Sequence, residues 1–284
     1  MHALRGVVAL YYLAGCDAVF GLQRNDGASD ASADDASAVP ACPAVGTDLV
    51  FSTSLRLERT GCSELTGSTA GHVAALCNGQ IHSGPELALM LPQEVLKGTM
   101  TDHFDVPRMA PDGDTLYVRH WTNATVHSRI LEFAATASNV WSATHDVWEA
   151  NRLDTSARFG TPAPVGIAGN HRMFVRNFST LAEIEFDVAG TGSMVASYTA
   201  QDLGVDTVTL APNLTADGLR IIFGGVGTQT PSGVYIAERE TVVERFGPAK
   251  LISGVPYVFD PWLDPRCTRL YLSLQNTVYS LERQ

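Results

Sequence analysis

From residue 45 onward the chain alternates between short apolar runs and polar, Gly- or Asp-containing turns, and no run is long enough for a confident helix. The segments 115–118, 128–133, 181–186, 233–238 and 277–282 are rich in Leu, Ile, Val, Tyr and Phe. Several of them alternate apolar with polar side chains, the pattern of a strand buried on one face. Residues 85–91 and 219–223 read as further strands, and 193–199 and 250–253 complete the set. The pattern predicts an all-β protein.

The strands are ordered by a repeated turn. Ala110-Pro111-Asp112-Gly113-Asp114 feeds Thr115-Leu116-Tyr117-Val118, and Thr215-Ala216-Asp217-Gly218 feeds Leu219-Arg220-Ile221-Ile222-Phe223. A third version, Asp264-Pro265-Arg266-Cys267-Thr268, leads into Arg269-Leu270-Tyr271-Leu272. Asp-Gly supplies a turn position where positive φ costs little, and the β-branched and aromatic residues after it suit a pleated sheet. Weaker copies are marked by Ala70 and Gly169, so the markers 70, 112, 169, 217 and 266 stand 42, 57, 48 and 49 residues apart. An interval of about 40–50 residues is the length of one four-stranded propeller blade. A β-sandwich would place its turns at shorter intervals of about 8–12 residues. The expected fold is a single β-propeller of five or six four-stranded blades, with one blade assembled from strands at both chain ends.

Pro111-Asp112-Gly113-x-x-Leu116-Tyr117-Val118 and the later Val234-Tyr235-Ile236 resemble the WD-like propeller repeat of TolB-type periplasmic proteins, over residues 45–284. Ala216-Asp217-Gly218 departs from the motif only at Pro, and Cys267 stands where the motif has Gly. The N-terminus carries a second resemblance. His2 and Arg5 precede the apolar run 6–13, and Leu13-Ala14-Gly15-Cys16 resembles the lipobox of bacterial lipoproteins. That resemblance implies a signal peptide over 1–15, removed before a diacylated Cys16. Eight apolar residues are too few to span a bilayer, which takes about 20 in a helix, whereas two or three acyl chains anchor firmly. Together the features resemble propeller lipoproteins of myxobacteria and their relatives.

Residues 16–41 join Cys16 to the globular part, and from 23 on they hold Asp26, Asp30, Asp34 and Asp35 among Gly, Ala and Ser. Such a segment buries too little surface to offset its ordering entropy. It is expected to be a disordered tether with a root-mean-square span of roughly 25 Å. The propeller domain is then 42–284.

Charge and cysteines narrow the partners. The net charge of −11 argues against nucleic acid, whose recognition needs a basic footprint. Setting Cys16 aside for lipid leaves Cys42, Cys62, Cys77 and Cys267, an even number suited to an oxidising compartment. Three pairings are open. Cys62 with Cys77 closes a short loop, and Cys42 with Cys267 ties the start of the domain to its last unit. No Cys-x-x-Cys is present.

Motifs for chemistry are few. The eight histidines include no His-Glu-x-x-His, Asp112-Gly113-Asp114 lacks the rest of a calcium loop, and there is no Gly-x-Ser-x-Gly or Ser-x-x-Lys. The sequence therefore predicts neither cofactor nor metal site and a protein that is not an enzyme. The expectation is a lipid-anchored, non-catalytic binding or scaffold module on the cell envelope, serving a protein, peptide or glycan. Its membrane contact is the lipid, and the sequence leaves its oligomeric state open. The alternative is an envelope hydrolase or lyase with Asp102, His103, Asp105, His120 and His145 at the channel mouth. A sugar-binding face would use exposed rather than packed members of Trp121, Trp141, Trp148 and Trp262.

Overall fold

The structure, a computed structural model, describes residues 42–123, 128–137, 140–153, 158–165, 170–177, 180–226, 230–258 and 260–284. The apolar run, the lipobox with Cys16, the tether, the Gly169 marker and His127 lie outside the described residues.

Five antiparallel sheets form a five-bladed propeller. Blade one is Cys62–Gly67, Val73–Cys77, Gln80–Gly84 and Leu91–Pro92, from the channel outward. Blade two is Asp102–Met109, Thr115–Thr122, Arg129–Ala137 and Val140–Asp146. Blade three is Ala163–Pro164, His171–Asn177, Thr180–Phe186 and Gly192–Thr199. In blade four two short strands, Thr207–Val208 and Asn213–Leu214, share the inner position beside Arg220–Val226, followed by Gly233–Glu238 and Lys250–Leu251. Blade five is Trp262–Leu263, Arg269–Leu274 and Thr277–Glu282, and its outer strand is Arg56–Thr60 from the start of the domain. The ring is closed by strands from the two ends of the domain.

The repeated turn has one geometry in four blades. The amide of Gly71, Gly113, Gly218 or Cys267 donates to the carbonyl three residues earlier, at Ser68, Ala110, Thr215 or Asp264. All four residues have positive φ, 89°, 82°, 68° and 55° respectively. Cys267 thus adopts the left-handed conformation that its counterparts reach without a Cβ. The Asp112 carboxylate accepts from the amides of Asp114 and Thr115, and Asp264 does the same for Thr268 and Arg269. These bonds lie within each turn itself.

The core is five clusters, one at each junction between blades. Met173 and Val175 pack toward Tyr117 and Ile130 of blade two, while Phe174 between them packs toward Phe223 and Tyr235 of blade four. Ile221 and Phe223 face blade three, and Ile222 faces Leu263 and Leu270 of blade five. Alternation therefore selects a neighbouring blade, and the central strands are apolar on both faces where the sequence reads half-buried ones. Residues 85–91 correct a second expectation. Their apolar run is a 3₁₀ turn, Leu87–Leu89, and the first residue of the short edge strand Leu91–Pro92, with both Leu89 and Leu91 exposed.

Two disulfides fasten the domain. Cys62 and Cys77 face each other across the first two strands of blade one, with Cα atoms 4.0 Å apart. Cys42 joins Cys267 with Cα atoms 5.0 Å apart, bridging 225 residues.

Candidate functional site

In four of the five blades the inner strand loses its regular ladder near the axis. The register slips between Ser63 and Thr66 in blade one and between Asp105 and Arg108 in blade two. In blades three and four the inner edge is interrupted between Phe159 and Ala163 and between Val208 and Asn213. Proline recurs at three of these breaks, at 107, 162 and 212, and Pro261 directly precedes the inner strand of blade five. A residue without an N–H fits where the ladder asks for no donor.

The breaks aim polar groups at the axis. Arg108, 2% exposed, donates two hydrogen bonds from Nη2 to Asp260 Oδ1 and Oδ2 at 3.0 and 2.9 Å. Its Nε donates to the Phe159 carbonyl at 3.2 Å and its Nη1 to the Pro107 carbonyl at 2.9 Å. Asn213 Nδ2 donates to Asp260 Oδ1 at 3.1 Å and to the Pro261 carbonyl at 2.8 Å. Asn213 Oδ1 accepts from the Thr161 amide at 2.8 Å. Blades two, three, four and five are thus joined through one buried ion pair and the amides and carbonyls around it.

Blade one enters through Glu64. Its Oε2 accepts from the Val106 amide at 2.9 Å, and its own amide donates to Ser273 Oγ of blade five at 3.1 Å. Both Glu64 and Val106 have positive φ, 55° and 51°. For a β-branched residue such as Val106 this backbone is an outlier, held by the surrounding bonds. Burial pushes the Glu64 carboxyl up to about 7; the Arg108 charge partly offsets this, and the Asp260 and Asp105 carboxylates add to it. A cavity of about 260 Å³ adjoins these residues, lined also by Arg119, Arg158, Phe159, Thr209 and Leu210.

A larger cleft, about 920 Å³, opens on the face that carries the repeated turns. Ser68, Thr69 and Val73 of blade one wall one side, Ala216 and Asp217 of blade four another, and Trp262, Asp264, Arg266, Arg269 and Tyr271 of blade five the middle. Cys42 is also among its lining residues. Trp262 and Tyr271 lie ring to ring at 5.2 Å.

The residues expected from sequence divide between places. Asp102 and His120 meet on blade two, Oδ1 to Nε2 at 3.3 Å, and His103 stacks on Trp121 at 3.9 Å. Asp105 is held by a two-pronged bond from Arg119 and by Trp121 Nε1 at 3.3 Å. His145 does not join them. It lies on the outer strand of the same blade, 3.3 Å from Glu132, because a blade's first and fourth strands are separated by the two between them. Of the tryptophans, Trp141 and Trp262 are buried, Trp141 donating to Ser83 Oγ at 2.9 Å, and Trp148 is exposed. Among the described residues no three His, Cys, Asp or Glu side chains are grouped as a metal ion would need. Glu64, Arg108, Asn213 and Asp260 were not singled out by sequence. The signal that marks three of them is the proline at a fixed five residues before each turn marker 112, 217 and 266.

No protein-family model matches the chain, and no curated protein matches it. Solved propellers are similar in fold. An exo-β-1,3-galactanase from Phanerochaete chrysosporium superposes with a TM-score of 0.51 at 6% identity, over 83% of this chain and 64% of that one. A putative TolB from Agrobacterium tumefaciens gives 0.47 at 10% identity, over 80% of this chain and 78% of that one. TolB from Acinetobacter baumannii gives 0.46 at 12% identity over 78% of this chain, which spans only 54% of that protein's length. At such identities a likeness concerns the fold alone.

Proposed function

We propose that the protein is a lipid-anchored envelope module that binds a polypeptide segment in the cleft on its turn face, without catalysing a reaction. The observation that carries this reading is the cleft itself. It encloses about 920 Å³, it is walled by turns from three blades, and it sets Tyr271, ring to ring with the buried Trp262, among Asp217, Asp264, Arg266 and Arg269. An aromatic ring with charged groups of both signs around it suits an extended peptide, which offers apolar side chains and a polar backbone together. The rigid ring supports such a docking face because the turns are fixed by their own hydrogen bonds.

The anchor and location rest on the lipobox at Cys16 and on four cysteines paired in two disulfides. Metabolic labelling with a palmitate analogue tests the anchor: the label is expected in the wild type, sensitive to globomycin, and absent from Cys16→Ala. Binding is tested by placing a photo-crosslinking amino acid at Arg266 and irradiating whole cells. Discrete adducts at Arg266, missing when the crosslinker is at the outer-strand position Met194, support the cleft. Equal adducts at both positions, or none at Arg266, would sink it.

A further inference from the structure

A second cleft, of about 610 Å³, lies over the junction of blades one and two. Its volume is within the range of about 300–1,000 Å³ usual for small-molecule sites. His72, Ser83 and Gly84 of blade one line it, and so do Asp114 in the repeated turn of blade two and Ala134–Ala137 on that blade's third strand. The blade-one turn separates it from the peptide cleft: Ser68, Thr69 and Gly71 line the one, His72 the other.

Three polar groups in the cleft have bonding capacity that the protein does not use. Ser83 is 1% exposed, and its Oγ accepts from Trp141 Nε1 at 2.9 Å. The hydroxyl proton is left without an acceptor among the described residues, and a buried proton in that position is costly. His72 Nδ1 lies 3.4 Å from the Gly113 carbonyl, a group that only accepts. The neutral ring therefore carries its proton on Nδ1 and offers Nε2 as an acceptor. The exposed Asp114 bonds to its neighbours through its backbone, and its carboxylate has no partner among the described residues.

These groups select the ligand. No lysine or arginine lines the cleft while Asp114 does, so an anion is disfavoured. An ammonium would satisfy His72 and Asp114 but has no lone pair for the Ser83 proton. Sugar hydroxyls both donate and accept, vicinal ones bring the two functions to one edge, and the ring C–H groups suit the methyls of Ala134, Ala135 and Ala137. Trp141 is packed, so it serves the site by holding Ser83 rather than by stacking. We propose that the cleft between blades one and two binds a neutral hexopyranoside, with one hydroxyl accepting from Ser83 and others donating to His72 Nε2 and Asp114.

Saturation-transfer NMR and calorimetric titration of the full chain with lactose, which presents a galactosyl and a glucosyl ring, test this. Putrescine and N-acetyl-trialanine amide are the ammonium and peptide arms. Lactose is expected to bind and the other two are not. Asp114→Ala, at an exposed side chain, is expected to weaken lactose about tenfold at an unchanged melting temperature, the worth of one hydrogen bond to a charged group. Ser83→Ala should weaken it at least as much. If Ser83→Ala melts early through loss of the Trp141 bond, Ala137→Trp, at an exposed position on the wall, is expected to abolish binding by filling the cleft. Arg266→Ala, in the peptide cleft, should leave lactose binding unchanged. No lactose binding, or binding of putrescine or the peptide as tight as that of lactose, would overturn the proposal. So would lactose binding that survives both Asp114→Ala and Ala137→Trp, or that is lost in Arg266→Ala.

Discussion

Replacing Asp260 by Ala should be the most damaging single change in the channel. Asp260 and Arg108 have side-chain exposures of 4% and 2%, and they are bonded at 2.9 and 3.0 Å. Removing the carboxylate leaves the guanidinium buried with only the Phe159 and Pro107 carbonyls as acceptors. Breaking a buried pair in this way costs about 3–5 kcal/mol, because a charge stays desolvated without its partner. For a domain of this size 1 kcal/mol moves Tm by roughly 2–4 °C, so Tm should fall by about 6–20 °C. Removing both charges together behaves differently. Arg108→Met with Asp260→Leu leaves no uncompensated ion, and Asn213 Nδ2 keeps the Pro261 carbonyl at 2.8 Å. Apolar replacement of buried pairs is often neutral, so the double variant should lie within about 1–2 kcal/mol of wild type. Urea unfolding followed by tryptophan fluorescence measures all the variants, with the coupling energy taken from the cycle including Arg108→Met. The cost should also change little between low and high salt, since the pair is shielded from counterions. An Asp260→Ala cost below about 1 kcal/mol, or a double variant as unstable as the single one, would refute the reasoning.

Three further outcomes follow from other parts of the ring. Glu64 has a folded-state pKa near 7 against an ordinary 4.5, so the folded state holds its proton more tightly. Stability then falls as pH rises from 4.5 to 7 and levels off above, and Glu64→Gln should remove that fall, about 1–3 kcal/mol once cavity water is allowed for, in urea titrations across this range. Losing the Cys42–Cys267 bridge frees a loop of 225 residues, and chain entropy puts the cost at about 5 kcal/mol. Because Cys267 has φ 55°, Cys42→Ser with Cys267→Gly should unfold at higher urea than Cys42→Ser with Cys267→Ser, by about 1 kcal/mol. A Cβ at Gly160 would stand 1.7 Å from the Pro212 carbonyl oxygen, so Gly160→Ala should part blades three and four and lower Tm by more than any exposed substitution, as calorimetry would show.

What the amino-acid sequence determined by itself is the local code. Asp112, Gly113, Asp217 and Gly218 specify a turn through bonds within a few residues, and the recurrence of the turn markers at intervals of about one blade is enough to imply a propeller. Strands such as Gly233–Glu238 and Thr277–Glu282 are legible for the same reason, because their apolar character and flanking turns are local properties. The run at 85–91 is just as apolar, yet it became a 3₁₀ turn and a short, exposed edge strand. Apolar content alone does not distinguish a central strand from an edge. The fold alone decided which residues meet. Arg108 and Asp260 are 152 residues apart, and neither has a neighbour in sequence that announces the other. The same holds for Glu64 and Val106, whose left-handed backbones arise from the register slips on two blades rather than from any residue preference, since Glu and Val both disfavour positive φ. Closure of the ring brought them together. It placed the inner strands side by side around one axis, where these side chains are buried, and that desolvation gives a distant carboxylate and guanidinium their strength and Glu64 its raised pKa.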